Sequence, residues 1–287
     1  MSNSASPPAK STRATDEPRW VRLLLTFVAL TFVFLVIVLP LVVVLLEAFD
    51  EGVGAYWDAI TTPDTWSAVK LTLLTVAIVV PINVVLGVAC AWAIGRFRFR
   101  GRSTLITLLD MPLAVSPVIA GMAFVLLFGA KGLFGSTLKG LGLEIIFAPP
   151  GIIIATLFVT FPFVARELIP FWETVGNEEE EAALVLGAKP RTMFWRVSLP
   201  NARWALLYGV VLTTARSLGE FGAVSVVSGH IRGSTNTVPL HVEVLYGDYR
   251  FVDAFAVASL LVCTGLVTLI FKKLLEGRME AETKKNG

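Results

Sequence analysis

The 287-residue sequence is poor in charged residues and in side chains that form disulfides or bind metals. Charged residues make up 16% of the chain, against about a quarter in soluble domains, and the mean hydropathy is +0.74. The formal net charge of +2 is too small to indicate nucleic-acid binding. Cys90 and Cys263 both lie inside apolar runs, and a disulfide or metal site needs more ligands at closer spacing. We therefore interpret both as small buried hydrophobic residues.

The motifs of two enzyme classes are also missing. The sequence has no G-x-x-x-x-G-K-[ST] loop to cradle ATP, and no H-E-x-x-H motif or paired aspartates within an apolar run. His230 and His241 lie too far apart in the sequence to form a local metal motif. We therefore expect a protein that is not an enzyme and that has no cofactor and no metal of its own.

Six apolar runs are long enough to cross a bilayer, whose core of about 30 Å needs about 20 helical residues. They cover residues 23–46, 71–94, 105–130, 151–172, 204–229 and 254–271. The first run is too long for the apolar part of a cleaved signal peptide, so we interpret it as an uncleaved anchor. The runs predict an all-α polytopic membrane protein with six transmembrane helices. Residues 1–20 are polar and rich in Ser, Ala and Pro, which predicts a disordered tail.

Lys and Arg are concentrated on one side of this predicted membrane arrangement. The clusters cover residues 10–22, 96–102, 189–203 and 272–285. Because cytoplasmic segments retain Lys and Arg, we place both termini in the cytoplasm, which six crossings allow. The acidic segment after the first run, residues 47–64, then lies outside.

A polar segment, residues 178–201, separates the fourth and fifth apolar runs; we call it the polar hairpin. Four consecutive glutamates at its start favour the positive N-terminal end of a helix. Gly187 can end that helix and Pro190 can open a second one. If the chain reverses at Gly187, this position needs either φ > 0 or room for a facing backbone. A helix lying flat on lipid is disfavoured by the glutamates, so we favour a surface that docks another protein, with a small-residue patch at Ala182 and Ala183.

Five charged residues lie inside apolar runs, where an ionisable residue near the bilayer centre costs about 2.5–3.5 kcal/mol on insertion scales. Arg166 and Glu167 fall near the cytoplasmic end of the fourth run, where Arg can reach the interface. Arg216 and Glu220 are one helical turn apart in the fifth run and can partly neutralise each other. Either this pair locks the helix against a neighbour, or Arg216 lines an anion path and Glu220 gates it. Asp110 in the third run either caps a broken helix or faces a cytoplasmic vestibule.

The polar hairpin resembles the E-A-A-x3-G-x9-I-x-L-P signature of ABC importer permeases. The matching residues are Glu181, Ala182, Ala183, Gly187, Val197, Leu199 and Pro200, with Val197 in the place of isoleucine. In that family the segment is the coupling helix, which fits a cleft on a separate ATPase subunit. The resemblance implies a type I ABC importer permease fold over residues 67–271, with a coupling segment at 177–200. The first transmembrane helix and a periplasmic loop would occupy residues 21–66, and a cytoplasmic tail residues 272–287.

A second resemblance concerns the substrate. Residues 215–223, ARSLGEFGA, are similar to the A-R-x-x-G-E-F-G-A run of oxyanion permeases of the sulfate and molybdate group. Residues 110–117 and 224–261 resemble the sulfate/thiosulfate permease subunits in particular. The resemblance implies import of sulfate or thiosulfate across a bacterial inner membrane. The candidate residues of the translocation pathway are Arg216, Glu220, Phe221, Asp110 and Ser116.

The same resemblance implies a set of partners. They are a homologous permease subunit, two copies of an ATPase subunit that bind ATP and magnesium, and a periplasmic sulfate- or thiosulfate-binding protein. Two alternatives stay open. One is a permease for molybdate or tungstate. The other is a secondary transporter without an ATPase. The sequence disfavours it, because it shows no paired inverted repeat with broken spans.

Overall fold

The computed structural model describes residues 19–286, with side chains described from residue 19 to residue 278. Most of the predicted tail at residues 1–20 therefore lies outside the described residues. Arg19 and Trp20, however, begin the first helix, so the predicted tail extends two residues into that helix. The regular structure within the described range is helical, as an all-α membrane protein requires.

Four single helices are long and apolar enough to cross a membrane, and two bent helix pairs meet the same test. The single helices are Arg19–Ala48, Pro63–Arg96, Pro149–Thr174 and Phe251–Arg278. The bent pairs are Arg102–Ala114 with Pro117–Phe128, and Arg203–Leu218 with Gly222–Ser228. With each pair counted as one span, the six predicted runs correspond to six spans, which we number in chain order. Shorter helices cover Gly52–Thr61, Gly135–Gly140, Glu178–Val185, residues 190–201 and Val238–Gly247, and the last helix continues to Asn286.

The third and fifth spans each consist of two helices that meet at a bend. The sequence left a broken helix open for the third span, at Asp110, but not for the fifth. The two halves of the third span are bent by 105°. Pro117 explains this break, because a residue before proline avoids the helical region, and Ser116 has a ψ of 131°. The halves of the fifth span are bent by 48° at Gly219 and Glu220.

Glycines bring the second, fourth and fifth spans into close contact. A Cβ atom on Gly87 would lie 2.7 Å from the Cβ of Val164, and one on Gly209 would lie 3.1 Å from the Cα of Val164. At Gly95 the same atom would lie 2.7 Å from the Cβ of Trp172. Small residues allow such close packing between membrane helices. The second, fourth and fifth spans therefore pack closely together, and the polar hairpin connects the fourth span to the fifth.

The first span is mostly exposed on the surface of this chain. The described side chains of Arg19–Val33 include no buried residue, and the packed end of the span is at Ala48, against Ala59 and Ala256. Cys263 is also exposed, while Cys90 is half-buried, so the predicted burial of Cys263 was wrong. Lipid solvates an apolar side chain as well as a protein core does, and an apolar run therefore does not fix which side chains are buried.

Candidate functional site

The polar hairpin is a pair of short helices joined by a tight turn. The helix Glu178–Val185 ends in a turn where Gly187 has a φ of 85°. The amide of Ala188 donates to Ala183 O at 3.0 Å, and that of Gly187 donates to Leu184 O at 2.9 Å. These two bonds form a Schellman motif, which satisfies the last carbonyls of the helix. A Cβ on Gly187 would have no described atom within 4 Å, so the predicted positive φ, and not a facing backbone, is the reason for glycine.

Arg96, at the end of the second span, anchors the hairpin. Its Nε lies 3.1 Å from Glu180 Oε1, and both side chains are about nine-tenths buried. Its Nη1 donates to Trp172 O at 2.8 Å, Val175 O at 2.9 Å and Asn177 Oδ1 at 2.7 Å. One guanidinium thus connects the second span, the end of the fourth span and the first helix of the hairpin.

The second helix of the hairpin packs against the second span. Met193 is buried, and the ring of Phe194 meets that of Trp92 edge-on at 4.9 Å. Asn201 donates to Glu179, which closes the hairpin across its two helices. Within this helix Phe194–Ser198 form a π-helical turn, a feature that is frequent at functional sites.

The tip of the hairpin is apolar and exposed. Val185 and Leu186 are each 87% exposed, and on the second helix Trp195 is 59% exposed. Ala182 is exposed and Ala183 is partly buried, so the predicted small-residue patch is only part of this surface. Exposed apolar patches are typical of surfaces that contact another protein or a membrane. Sequence reasoning missed Val185 and Leu186, although two large apolar residues within a polar segment were a usable signal.

The signature residues divide between this surface and the interior of the hairpin. Glu181, Gly187 and Pro200 are exposed, whereas Val197 and Leu199 are partly buried. The exposed residues are available to a partner. The partly buried ones position the second helix.

Arg216 and Glu220 form the predicted ion pair at the break of the fifth span. Arg216 Nη1 lies 2.7 Å from Glu220 Oε2, a close electrostatic contact that is not aligned as a hydrogen bond. The side chain of Glu220 is 1% exposed and that of Arg216 is 35% exposed. Glu220 Oε1 also accepts the amide N–H of Ala223 at 3.0 Å. Glu220 therefore caps the second half of the span as well as neutralising Arg216.

The structure brings the breaks of the third and fifth spans together. A Cβ on Gly222 would lie 3.0 Å from the Cβ of Pro117, and one on Gly121 would lie 2.8 Å from the carbonyl oxygen of Ala223. Ser116 and Phe221 directly precede two of these contact residues, and both are exposed. Four candidate pathway residues, Arg216, Glu220, Phe221 and Ser116, thus lie at or beside the two breaks.

Asp110, the fifth pathway candidate, has a different partner. Its Oδ1 lies 3.0 Å from Arg166 Nε on the fourth span, and both side chains are partly exposed. Asp110 lies inside the helix Arg102–Ala114 and does not cap a broken helix end. The pair therefore links the third and fourth spans.

A buried histidine lies in the segment between the fifth and sixth spans. His241 is 3% exposed, and its Nε2 lies 3.1 Å from Thr65 Oγ1 at the start of the second span. Burial lowers the pKa of His241 below its ordinary 6.5; Asp64 opposes this shift, and Arg232 and Arg250 add to it. His241 is therefore neutral at pH 7. Within the described residues no group of side chains could hold a metal ion.

Comparisons with known proteins identify the family of this chain. Residues 83–281 match the family described as "Binding-protein-dependent transport system inner membrane component". The chain is 48% identical to the sulfate transport system permease protein CysW of Synechocystis sp., over 90% of this chain and 94% of that protein. The chain belongs to this permease family. The CysW protein of Escherichia coli (strain K12) is 47% identical over 87% of this chain and 86% of that protein. A sulfate transport system permease protein CysT, from Salmonella typhimurium, is 36% identical over 87% of this chain and 90% of that protein.

Solved structures have the same permease fold. A bacterial alginate ABC transporter, in complex with alginate pentasaccharide-bound periplasmic protein, matches with a TM-score of 0.76. The match covers 91% of this chain and 95% of that chain at 17% identity, so it concerns the fold alone. The family and the apolar helices together make this chain a multi-pass inner membrane component of a transport system, as the sequence predicted.

Proposed function

We propose that this chain is the membrane-spanning permease subunit of an ATP-driven importer that moves sulfate into the cytoplasm. The polar hairpin is the observation that carries the proposal, because it presents an exposed apolar tip on a base fixed by Arg96. The names of the CysW and CysT relatives support sulfate as the substrate. Thiosulfate has the same charge and a similar shape, and the binding protein would choose between them.

The hairpin transmits movement from an ATPase to the spans. ATP is hydrolysed on a separate subunit, since this chain lacks a phosphate-binding loop. That subunit receives Val185 and Leu186 in a cleft, and Glu181 lies four residues before Val185 on the same short helix. Because Arg96 joins the hairpin to the second and fourth spans, a displacement of the tip moves both spans. Such a contiguous network of hydrogen bonds and packed side chains can carry coupling.

The anion passes beside the breaks of the third and fifth spans. A soluble receptor holds a tetrahedral dianion with helix N-termini and backbone N–H groups, so the membrane part needs only a weakly binding passage. Arg216 is partly exposed, but Glu220 neutralises it at 2.7 Å. The pair therefore attracts an anion without retaining it, while Ser116 and Phe221 line the same region. Retention would slow release into the cytoplasm.

The proposed assembly and orientation follow from the same assignment. The chain pairs with a homologous permease subunit on two ATPase subunits, and a periplasmic binding protein delivers the anion. Both termini and the polar hairpin are cytoplasmic. Cysteines introduced at Asp64 and Gly233 should react with an impermeant thiol reagent from outside, whereas cysteines at Arg100 and Lys189 should not. Labelling at Lys189 from outside would overturn both the orientation and the coupling role.

Purification in mild detergent tests the functional class. We expect the chain to co-purify with an ATPase. ATP-driven uptake should be lost when that ATPase is removed. A secondary transporter would purify alone and retain uptake. Competition against labelled sulfate then tests the substrate: unlabelled sulfate and thiosulfate should compete, and stronger competition by molybdate or tungstate would favour that alternative.

A further inference from the structure

A polar cavity of about 390 Å³ lies beside the anchor of the polar hairpin, between the end of the second span and the segment after the fourth. Its wall includes Arg96, Arg98, Arg102 and Glu173. A water molecule takes up about 30 Å³ of the liquid, so the cavity has room for a tetrahedral anionic group and several waters. The coupling contact at the hairpin tip does not use this cavity.

The three arginines differ in how far their donors are already used. Arg96 is committed to backbone carbonyls and to Glu180. Arg102 donates from Nε to Ile94 O at 2.9 Å and pairs with Glu173, but this pair is 39% and 45% exposed and is therefore weak. Arg98 is exposed and makes no hydrogen bond or ion pair within the part of the chain that the structure describes. Arg98 and Arg102 are thus available to an anion.

The segment that carries Arg98 also indicates the depth of the ligand. Phe97 has extended backbone, with φ −113° and ψ 142°, and it borders the cavity together with Arg98. Phe99 follows them, just before the chain turns at Arg100 and Gly101. Both phenylalanines are exposed, at 49% and 41%. A segment between two spans with aromatic rings and arginines is typical of the membrane interface.

We propose that this cavity binds the phosphate group of an anionic phospholipid, with Arg98 and Arg102 as the donors. Guanidinium groups bind phosphate through paired, charge-assisted hydrogen bonds, and basic pockets between membrane helices bind such headgroups. The phosphate reaches the cavity from the headgroup layer, while the acyl chains lie along Phe97 and Phe99. The proposal does not depend on the substrate or on the ATPase, so its failure and that of the transport function are distinguishable.

Native mass spectrometry of the detergent-purified protein tests the site, with phosphatidylglycerol and phosphatidylcholine as probes. The wild type should retain phosphatidylglycerol in preference to phosphatidylcholine. Arg98→Gln should weaken this binding by about tenfold or more, as expected for a hydrogen bond to a charged group. Arg98→Lys, which keeps the charge without the paired geometry, should give an intermediate loss.

Arg100→Gln is the matched control, because Arg100 has the same charge and lies in the same segment but outside the cavity wall. It should weaken binding by no more than about fivefold, the effect of one charge near a membrane surface. Equal losses in Arg98→Gln and Arg100→Gln would show diffuse attraction and overturn the site. A second result would also overturn the site. In nanodiscs of phosphatidylcholine alone, free sulfate or inorganic phosphate would bind in a manner that depends on Arg98, and phosphatidylglycerol would fail to compete.

Discussion

Replacement of Gly187 tests the geometry of the hairpin turn. Its φ of 85° lies in the left-handed region, where a β-branched residue costs about 1–3 kcal/mol. A Cβ at this position would meet no described atom within 4 Å, so the cost comes from the backbone alone. Gly187→Val should therefore insert and pair normally, yet lower the population of the native turn by about five- to 150-fold. Asparagine adopts this conformation more readily, so Gly187→Asn should retain much more activity.

The assay is ATP hydrolysis stimulated by the loaded binding protein, together with co-purification of the ATPase. Gly176→Val is the matched control, because Gly176 does not have a positive φ and its added Cβ would approach no described atom more closely than Glu178 Cγ at 3.8 Å. We expect Gly187→Val to lose stimulated hydrolysis while Gly176→Val retains it. Wild-type sulfate uptake by Gly187→Val, with the ATPase still bound, would refute the coupling role. Equal losses in the valine and asparagine variants would refute the argument from φ.

Three further predictions concern ionisable side chains that are buried or paired with a buried group. Arg216→Ala should lower the protein level, because it leaves the buried carboxylate of Glu220 without its ion-pair partner. Adding Glu220→Gln should restore much of that level. A normal level without uptake in the single variant would favour a direct role on the anion path. Arg96→Gln should make the hairpin more sensitive to trypsin. The double variant Arg96→Gln with Glu180→Gln should be less sensitive than the sum of the two single effects predicts. Additive effects on trypsin sensitivity would contradict the anchoring role of this pair. Thermal stability should fall as the pH is lowered below 6.5, because His241 binds a proton more readily in the unfolded state than in the folded state, where burial lowers its pKa. This loss of stability at low pH should be smaller in His241→Gln. An equal loss in His241→Gln would contradict the conclusion that His241 is buried in its neutral form.

The six spans could be predicted because length and hydropathy fix them locally. Residues 71–94, for example, contain no charge, and their helix is Pro63–Arg96. The break of the third span was also visible in principle at Pro117. The break at Glu220 was not, because apolar residues flank it and the capping bond to Ala223 exists only once the helix is broken.

The hairpin turn could be predicted, since glycine at a helix end is a local signal. Its anchor could not, because Arg96 and Glu180 are 84 residues apart and each has a sufficient local interpretation. Arg96 belongs to a basic cluster at a span end, and Glu180 belongs to an acidic first turn. The pairing of Asp110 with Arg166 could not be predicted for the same reason. Pairs between different spans depend on packing that no local pattern records.

Photo-cross-linking from the hairpin tip tests the central claim most directly. A photoreactive amino acid at Leu186, which is 87% exposed, should form an adduct with the ATPase in the assembled importer. The same group at Lys139, which lies between the third and fourth spans and on the opposite face in the proposed orientation, should not. An adduct from Leu186 alone is the predicted result. An importer that takes up sulfate with ATP but gives no ATPase adduct from Leu186, or gives one from Lys139, would contradict the account.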